Sequence, residues 1–220
     1  MMHYPMRARV LRLCVLGAVL ALLAWWIPRH SAGSELLAPA TDLDPRGLRT
    51  GDVILRRGRD VVSAVVLAAD SGGRYSHVGI IVPIGRLMAV AHALPEDAEH
   101  PEGRVLVESV GEFLAPERAS ESAVYRLRER PGNTAVRAAG NALRYAREGR
   151  SFDGDFRLET TGRLYCSELV WLAFRETGVD LVDGRFSHLK LPLRRGDFVL
   201  PSAFTTSPHL RLVLRKDNES

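Results

Sequence analysis

The chain has 220 residues, 46% of them apolar and 25% charged, with 30 Lys and Arg, 26 Asp and Glu, seven His and two Cys. Its first thirty residues hold four arginines and no acid, so the remaining 26 basic residues balance 26 acidic ones. A formally neutral outer part lacks the clustered positive field that nucleic-acid binding needs, and no nucleic-acid partner is expected.

Residues 1–30 divide into a basic start (Arg7, Arg9, Arg12), an apolar run from Leu13 to Ile27 and a polar exit at Pro28-Arg29-His30. That pattern reads as a signal peptide or a membrane anchor. Trp25 and Trp26 at the trailing edge, with no clean cleavage pattern after them, favour a retained anchor. The basic start would keep the N-terminus cytoplasmic and send the rest outward, into the periplasm or outside the cell. Cys14 opens the apolar run without small residues before it and does not suit lipid attachment. Residues 31–45, rich in Ser, Gly, Ala and Pro, suit a tether ending in the turn Asp42-Leu43-Asp44-Pro45. Residues 46–220 are expected to form one domain.

Within that domain Gly51-Asp52 introduces a first strand at Val53–Arg56. Val61, Val62, Val65, Val66 and Ala69 recur at helical spacing, with Asp60 placed to cap and Ser71-Gly72-Gly73 to terminate. Four short apolar runs follow, at His77–Val82, Leu87–Ala93, Val105–Val110 and Ala123–Leu127. Their links, Pro83–Arg86 and Pro95–Gly103, are too short for crossover helices and predict an antiparallel meander. From Asn133 the period becomes helical, with Val136, Ala139, Leu143 and Ala146 on one face and Gly149 at the end. Ser151–Phe156 reads as a loop in which Asp153 and Asp155 resemble solvated or capping carboxylates. A second helix is expected over Tyr165–Thr177, with Leu169, Val170, Ala173 and Phe174 buried, then an element at Gly196–Pro201 and a late strand at Leu210–Leu214. The fold class is α+β, helices packed on an antiparallel sheet.

Cys166 is the only cysteine outside the N-terminal segment, so it has no disulfide partner in the domain. A free thiol opening an amphipathic helix points to a nucleophile. The helix dipole and the unsatisfied first-turn N–H groups favour a thiolate and can stabilise an oxyanion. His77, at the mouth of an apolar strand, is the candidate base, and Gly79 on the same face leaves room for close approach. Glu108 interrupts a neighbouring strand on the face it shares with Leu106, and is placed to orient the imidazole. His92, which also interrupts an apolar strand, is its rival as the polar partner or a second site residue. Tyr165 and Ser76 flank the two central residues and are candidate substrate contacts, with Tyr165 also a candidate oxyanion donor. No short-spaced ligand pair supports a metal, and no cofactor is expected.

Gly51-Asp52-Val53-Ile54-Leu55-Arg56, Tyr75-Ser76-His77-Val78-Gly79-Ile80, Val107-Glu108-Ser109 and Tyr165-Cys166-Ser167-Glu168-Leu169-Val170, in that order, resemble the YiiX/YaeF/YebB-like branch of the NlpC/P60 cysteine hydrolases, the permuted papain-like amidases. The resemblance spans about Gly51 to Phe204. It implies a circularly permuted papain-like fold in which the histidine-bearing sheet precedes the cysteine-bearing helix. It also implies Cys166 as nucleophile, His77 as base and Glu108 as the residue orienting His77. The expected activity is a cell-envelope thiol hydrolase acting on an amide or ester through an acyl-enzyme. Its substrate would be a peptide, a peptidoglycan-derived peptide or an acyl lipid. A lipid-directed acyltransferase or thioesterase, and a non-catalytic peptidoglycan- or lipid-binding module, are the alternatives.

Overall fold

A computed structural model of the protein describes residues 47–95, 103–128, 132–158, 160, 162–191 and 194–217. The chain divides into two compact units, 1–37 and 38–220, and every described residue belongs to the second. The expected anchor at 1–30, the tether at 31–45 and most of the Pro95–Gly103 link lie outside the described residues. Among the described residues no helix is long and apolar enough to cross a membrane.

Among the described residues ten strands and five helices succeed one another: β1 (Val53–Gly58), α1 (Val61–Ala69), β2 (His77–Ile84), β3 (Leu87–Leu94), β4 (Arg104–Ser109), α2 (Val110–Phe113), β5 (Ala119–Leu127), α3 (Thr134–Arg147), β6 (Ser151–Phe152), β7 (Arg163–Leu164), α4 (Cys166–Arg175), β8 (Ser187–Leu191), β9 (Arg194–Phe198), α5 (Ser202–Thr205) and β10 (Leu210–Asp217). Six of the strands form one antiparallel sheet in the order β10-β5-β1-β2-β3-β4. The expected meander therefore holds from β2 to β4 only. At Ser109 the chain leaves the sheet, because Ser109 and Glu112 cap one another and start α2. The segment from α2 onward crosses one sheet face and delivers β5 beside β1 on the far side.

The period-2 pattern of the strands sends alternate residues to two faces. Val53, Leu55, Val78, Ile80 and Val82 pack with residues of α3 and α4 in the larger core. Ile54, Ile81 and Val90 pack with Phe113, Leu114 and Val124 in a smaller core under α2. Both helices expected in the second half form, but the buried residues of α3 are Ala138, Ala139, Ala142 and Tyr145, while Val136 is exposed. The expected Ala139, Leu143 and Ala146 do pack in or against the core, and the face widens to Ala138, Ala142 and Tyr145 because the alanines allow close approach to the sheet and α4, with Tyr145 beside the guanidinium groups of Arg144 and Arg150. On α4 the expected Leu169, Val170, Ala173 and Phe174 are all buried. Ser151–Phe156, read as a loop, includes the two-residue β6 paired with β7. Its Asp153 is buried and accepts from the amides of Asp155 and Arg157 and from the Thr160 hydroxyl, which makes it a capping residue.

Candidate active site

Cys166 is the first residue of α4, with Tyr165 in extended conformation at the N-cap. The first intrahelical amide bond is Leu169 N to Tyr165 O at 2.9 Å, so the Cys166, Ser167 and Glu168 amides have no acceptor within the helix. The sheet is open where this helix start meets it. Pairing of β2 with β3 stops at Ile80↔Ala91, leaving the Val78 amide without a strand partner. That amide, together with Ser167's, donates to the Cys166 sulfur. The thiol is thus tied to the residue following His77.

His77 starts β2 and turns toward the smaller core, where its ring lies 5.7 Å from that of Phe113. Its Nε2 is 2.8 Å from Nδ1 of His92, whose ring is fully buried. His92 Nε2 is in turn 2.9 Å from Glu108 Oε1, and Arg118 Nη1 donates to Glu108 Oε2 at 2.7 Å. Register explains the last pairing: His92 stands opposite Leu106, so Glu108 is its diagonal neighbour on the same face. Gly79 makes the close approach of the histidines possible. A Cβ there would sit 2.5 Å from Val90 Cγ1, 2.9 Å from the Ala91 carbonyl and 3.1 Å from His92 Cβ.

These contacts correct the expected arrangement. Glu108 does not touch His77; it orients His92, and His92 orients His77. His92 is accordingly a buried link and not a substrate contact. The buried Ser76 hydroxyl accepts the Gly58 amide at 2.8 Å and joins β1 to the segment before β2, a structural bond that the sequence did not suggest. The Tyr165 hydroxyl accepts the Val199 amide at 3.0 Å, which fixes the phenol in place, and its ring lines a groove.

The charges fix the proton positions. Burial pushes the Glu108 carboxyl up, but hydrogen bonds and charges from His92 and Arg118 outweigh it and hold the group below its ordinary range. An ionised Glu108 can only accept, so His92 carries its proton on Nε2 and presents Nδ1 as an acceptor. His77 then donates from Nε2, and its Nδ1 is left as a lone pair. Burial, Arg56 and His92 all hold the His77 imidazole well below 6.5, and burial also lowers His92. Burial raises the Cys166 thiol above its ordinary value, against the opposing hydrogen bonds of Ser167 and Val78. The resting pair is therefore neutral thiol and neutral imidazole. This corrects the expectation that the helix start alone would yield a thiolate, since removal of the sulfur from water outweighs the dipole.

Two cations escaped the sequence reading. Arg56 lies opposite His77 across β1 and β2, donates to the Phe113 carbonyl at 2.7 Å and sits 4.7 Å from that ring's centre. Its position on the same face as buried Ile54 was an available signal, because a charge on a core face is unusual. Arg118 follows a strand and a short helix and carried no such signal. Among the described residues no group of three or more His, Cys, Asp or Glu is arranged to hold a metal ion.

The profile of the permuted papain-like amidase enzymes, YaeF/YiiX, C92 family, matches residues 47–214, which includes every residue of this site. The chain belongs to that family of cysteine hydrolases. A crystal structure described as metalloprotein yiiX from Escherichia coli O157:H7 superposes with a TM-score of 0.62 at 22% identity, covering 76% of this chain and 97% of that one. The likeness confirms the permuted papain-like fold expected from the order of motifs. No curated protein matches the chain. In a permuted papain-like amidase the histidine strand precedes the cysteine helix, as β2 precedes α4 here.

Proposed function

We propose that the protein is an amidase of the bacterial cell envelope in which Cys166 is the nucleophile, His77 the general base and His92-Glu108 the pair that sets the imidazole tautomer. The observation that carries this reading is the chain of contacts from Arg118 through Glu108 and His92 to His77; the tautomers that an ionised Glu108 selects leave Nδ1 of His77 unprotonated. As Sγ attacks a substrate carbonyl carbon, Nδ1 takes the thiol proton, so no preformed ion pair is required. The tetrahedral oxyanion forms at the N-terminus of α4, where the helix dipole and the first-turn amides favour negative charge. Collapse expels the amine with the proton returned by His77. Water, deprotonated by the same nitrogen, then hydrolyses the thioester. The envelope location is supported by the basic start and apolar run of residues 1–30.

Turnover of an amide reporter panel by the full chain and by Cys166→Ala and His77→Ala tests this assignment. Loss of turnover in both variants, with melting temperatures kept near wild type, is expected. Undiminished turnover in either variant would reject it.

A further inference from the structure

The thiol opens onto a small groove of about 70 Å³ walled by Val65, Val66 and Ala69 of α1, by Phe156 and Tyr165, and by the segment Phe198–Pro201. Among the described residues no charged side chain lines it. Two further features show that this wall is built as a surface and not left over from core packing. Eight of the nine residues of α1 are apolar, yet its one buried residue is Ser63, and Val61 and Val65 are 80% and 60% exposed. A helix apolar on all sides is ordinarily enclosed. Here polar bonds hold it instead. The Asp60 carboxylate caps Ser63 at one end, and the buried Asp70 carboxylate accepts the Ser202 amide and hydroxyl at the other. Phe156, on another wall, has φ 52, a left-handed conformation that is strained for a non-glycine residue. Its ring is held 5.7 Å from Phe152 and 5.5 Å from Tyr165.

We infer that this groove is the acyl subsite and that the group whose carbonyl Cys166 attacks bears an unbranched aliphatic chain, seated between α1 and Phe156–Tyr165. The inference rests on the proposed role of Cys166 and specifies its substrate class. A peptide would bring backbone amides and carbonyls that these walls leave unpaired, whereas an alkyl chain brings none. Each methylene removed from water adds about fourfold to affinity, so chain length is the readout.

N-alkyl iodoacetamides from methyl to octyl, with N-iodoacetyl dipeptides for comparison, separate the two questions. Sγ attacks the iodine-bearing carbon, a C–S bond forms, iodide leaves and the thiol proton passes to solvent. Intact-mass kinetics on the full chain should show Cys166 alkylated at least tenfold faster by the octyl than by the methyl reagent. The octyl-to-methyl ratio should fall in Val65→Asp, and less in the milder Val65→Ser. Equal methyl and octyl rates on Cys166, a dipeptide reagent faster than the octyl one, or a ratio untouched by Val65→Asp would overturn the acyl subsite while leaving the thiol's role intact. Failure of every reagent to alkylate Cys166 would instead reject the nucleophile and the subsite with it.

Discussion

Glu108→Gln is the substitution in which the relay makes its sharpest demand. The two carboxylate oxygens of Glu108 face different groups, His92 Nε2 at 2.9 Å and Arg118 Nη1 at 2.7 Å. Glutamine has one acceptor oxygen and one donor nitrogen, and a guanidinium can only donate. The amide oxygen must therefore face Arg118, and the NH2 group must face His92. His92 then has to accept on Nε2 and carry its proton on Nδ1, which forces His77 to accept on Nε2 and to carry its proton on Nδ1. The nitrogen needed by the thiol is blocked, although no atom has moved and only one charge is gone. General-base catalysis contributes about 10²- to 10⁴-fold, so kcat/KM should fall by that factor, equivalent to about 3–5 kcal/mol of barrier. The assay is kcat/KM on a reporter amide, with the imidazole tautomers read by 15N NMR. Adding Arg118→Ala lets the glutamine amide rotate and present its oxygen to His92, so the double variant should recover part of the lost rate. A Glu108→Gln enzyme within threefold of wild type, or a double variant no better than the single one, would refute the tautomer relay.

Gly79→Ala forces a Cβ against Val90, the Ala91 carbonyl and His92; it should destabilise the domain by about 1–3 kcal/mol in chemical denaturation and lower kcat by separating the histidines, and an unchanged midpoint would contradict the packing. The pH profile of kcat/KM should be a broad bell. Rate is lost on the acid side when His77 is protonated, and its pKa is depressed, so that limb lies below 6.5. It falls on the alkaline side when Cys166 ionises, because the proton that His77 returns to the leaving amine is then gone, and the thiol's pKa is raised, so that limb lies above 9.0. Arg56→Gln removes a positive charge that disfavours the His77 imidazolium, so the acid limb should move up toward the ordinary histidine value; a limb that moves down would show that Arg56 acts otherwise.

The parts of this protein legible in its sequence are those governed by local period and by residue chemistry. β1, α1, β2 and α4 form where strand alternation, the Asp60 cap and the i, i+4 stripe of α4 place them, and the lone thiol and the strand histidine follow from those elements. What escaped depends on which strands become neighbours. His92 reads as a second interrupted strand until β3 pairs with β4 and sets Glu108 diagonally across from it; only then does the carboxylate belong to His92 and not to His77. The position of β5 beside β1 was hidden because the Ser109-Glu112 cap ends β4 one residue before the apolar pattern does. The exposure of α1 was hidden as well, since helical spacing of valines says that a helix forms and not which side of it meets the core. The thiol's raised pKa likewise depends on how deeply α4 seats against the open edge of β2, a depth that no motif encodes.

The claim on which the rest stands is that the Cys166 sulfur carries the acyl group during turnover. Rapid quenching of the full chain with an excess of activated acyl substrate, followed by intact-mass and peptide-level mass spectrometry, tests it directly. The account predicts one added acyl mass on the peptide containing Cys166, labile to hydroxylamine as a thioester is, and none on Cys166→Ala. An acyl group found on another residue, or undiminished turnover with no adduct in the Cys166→Ala chain, would contradict it.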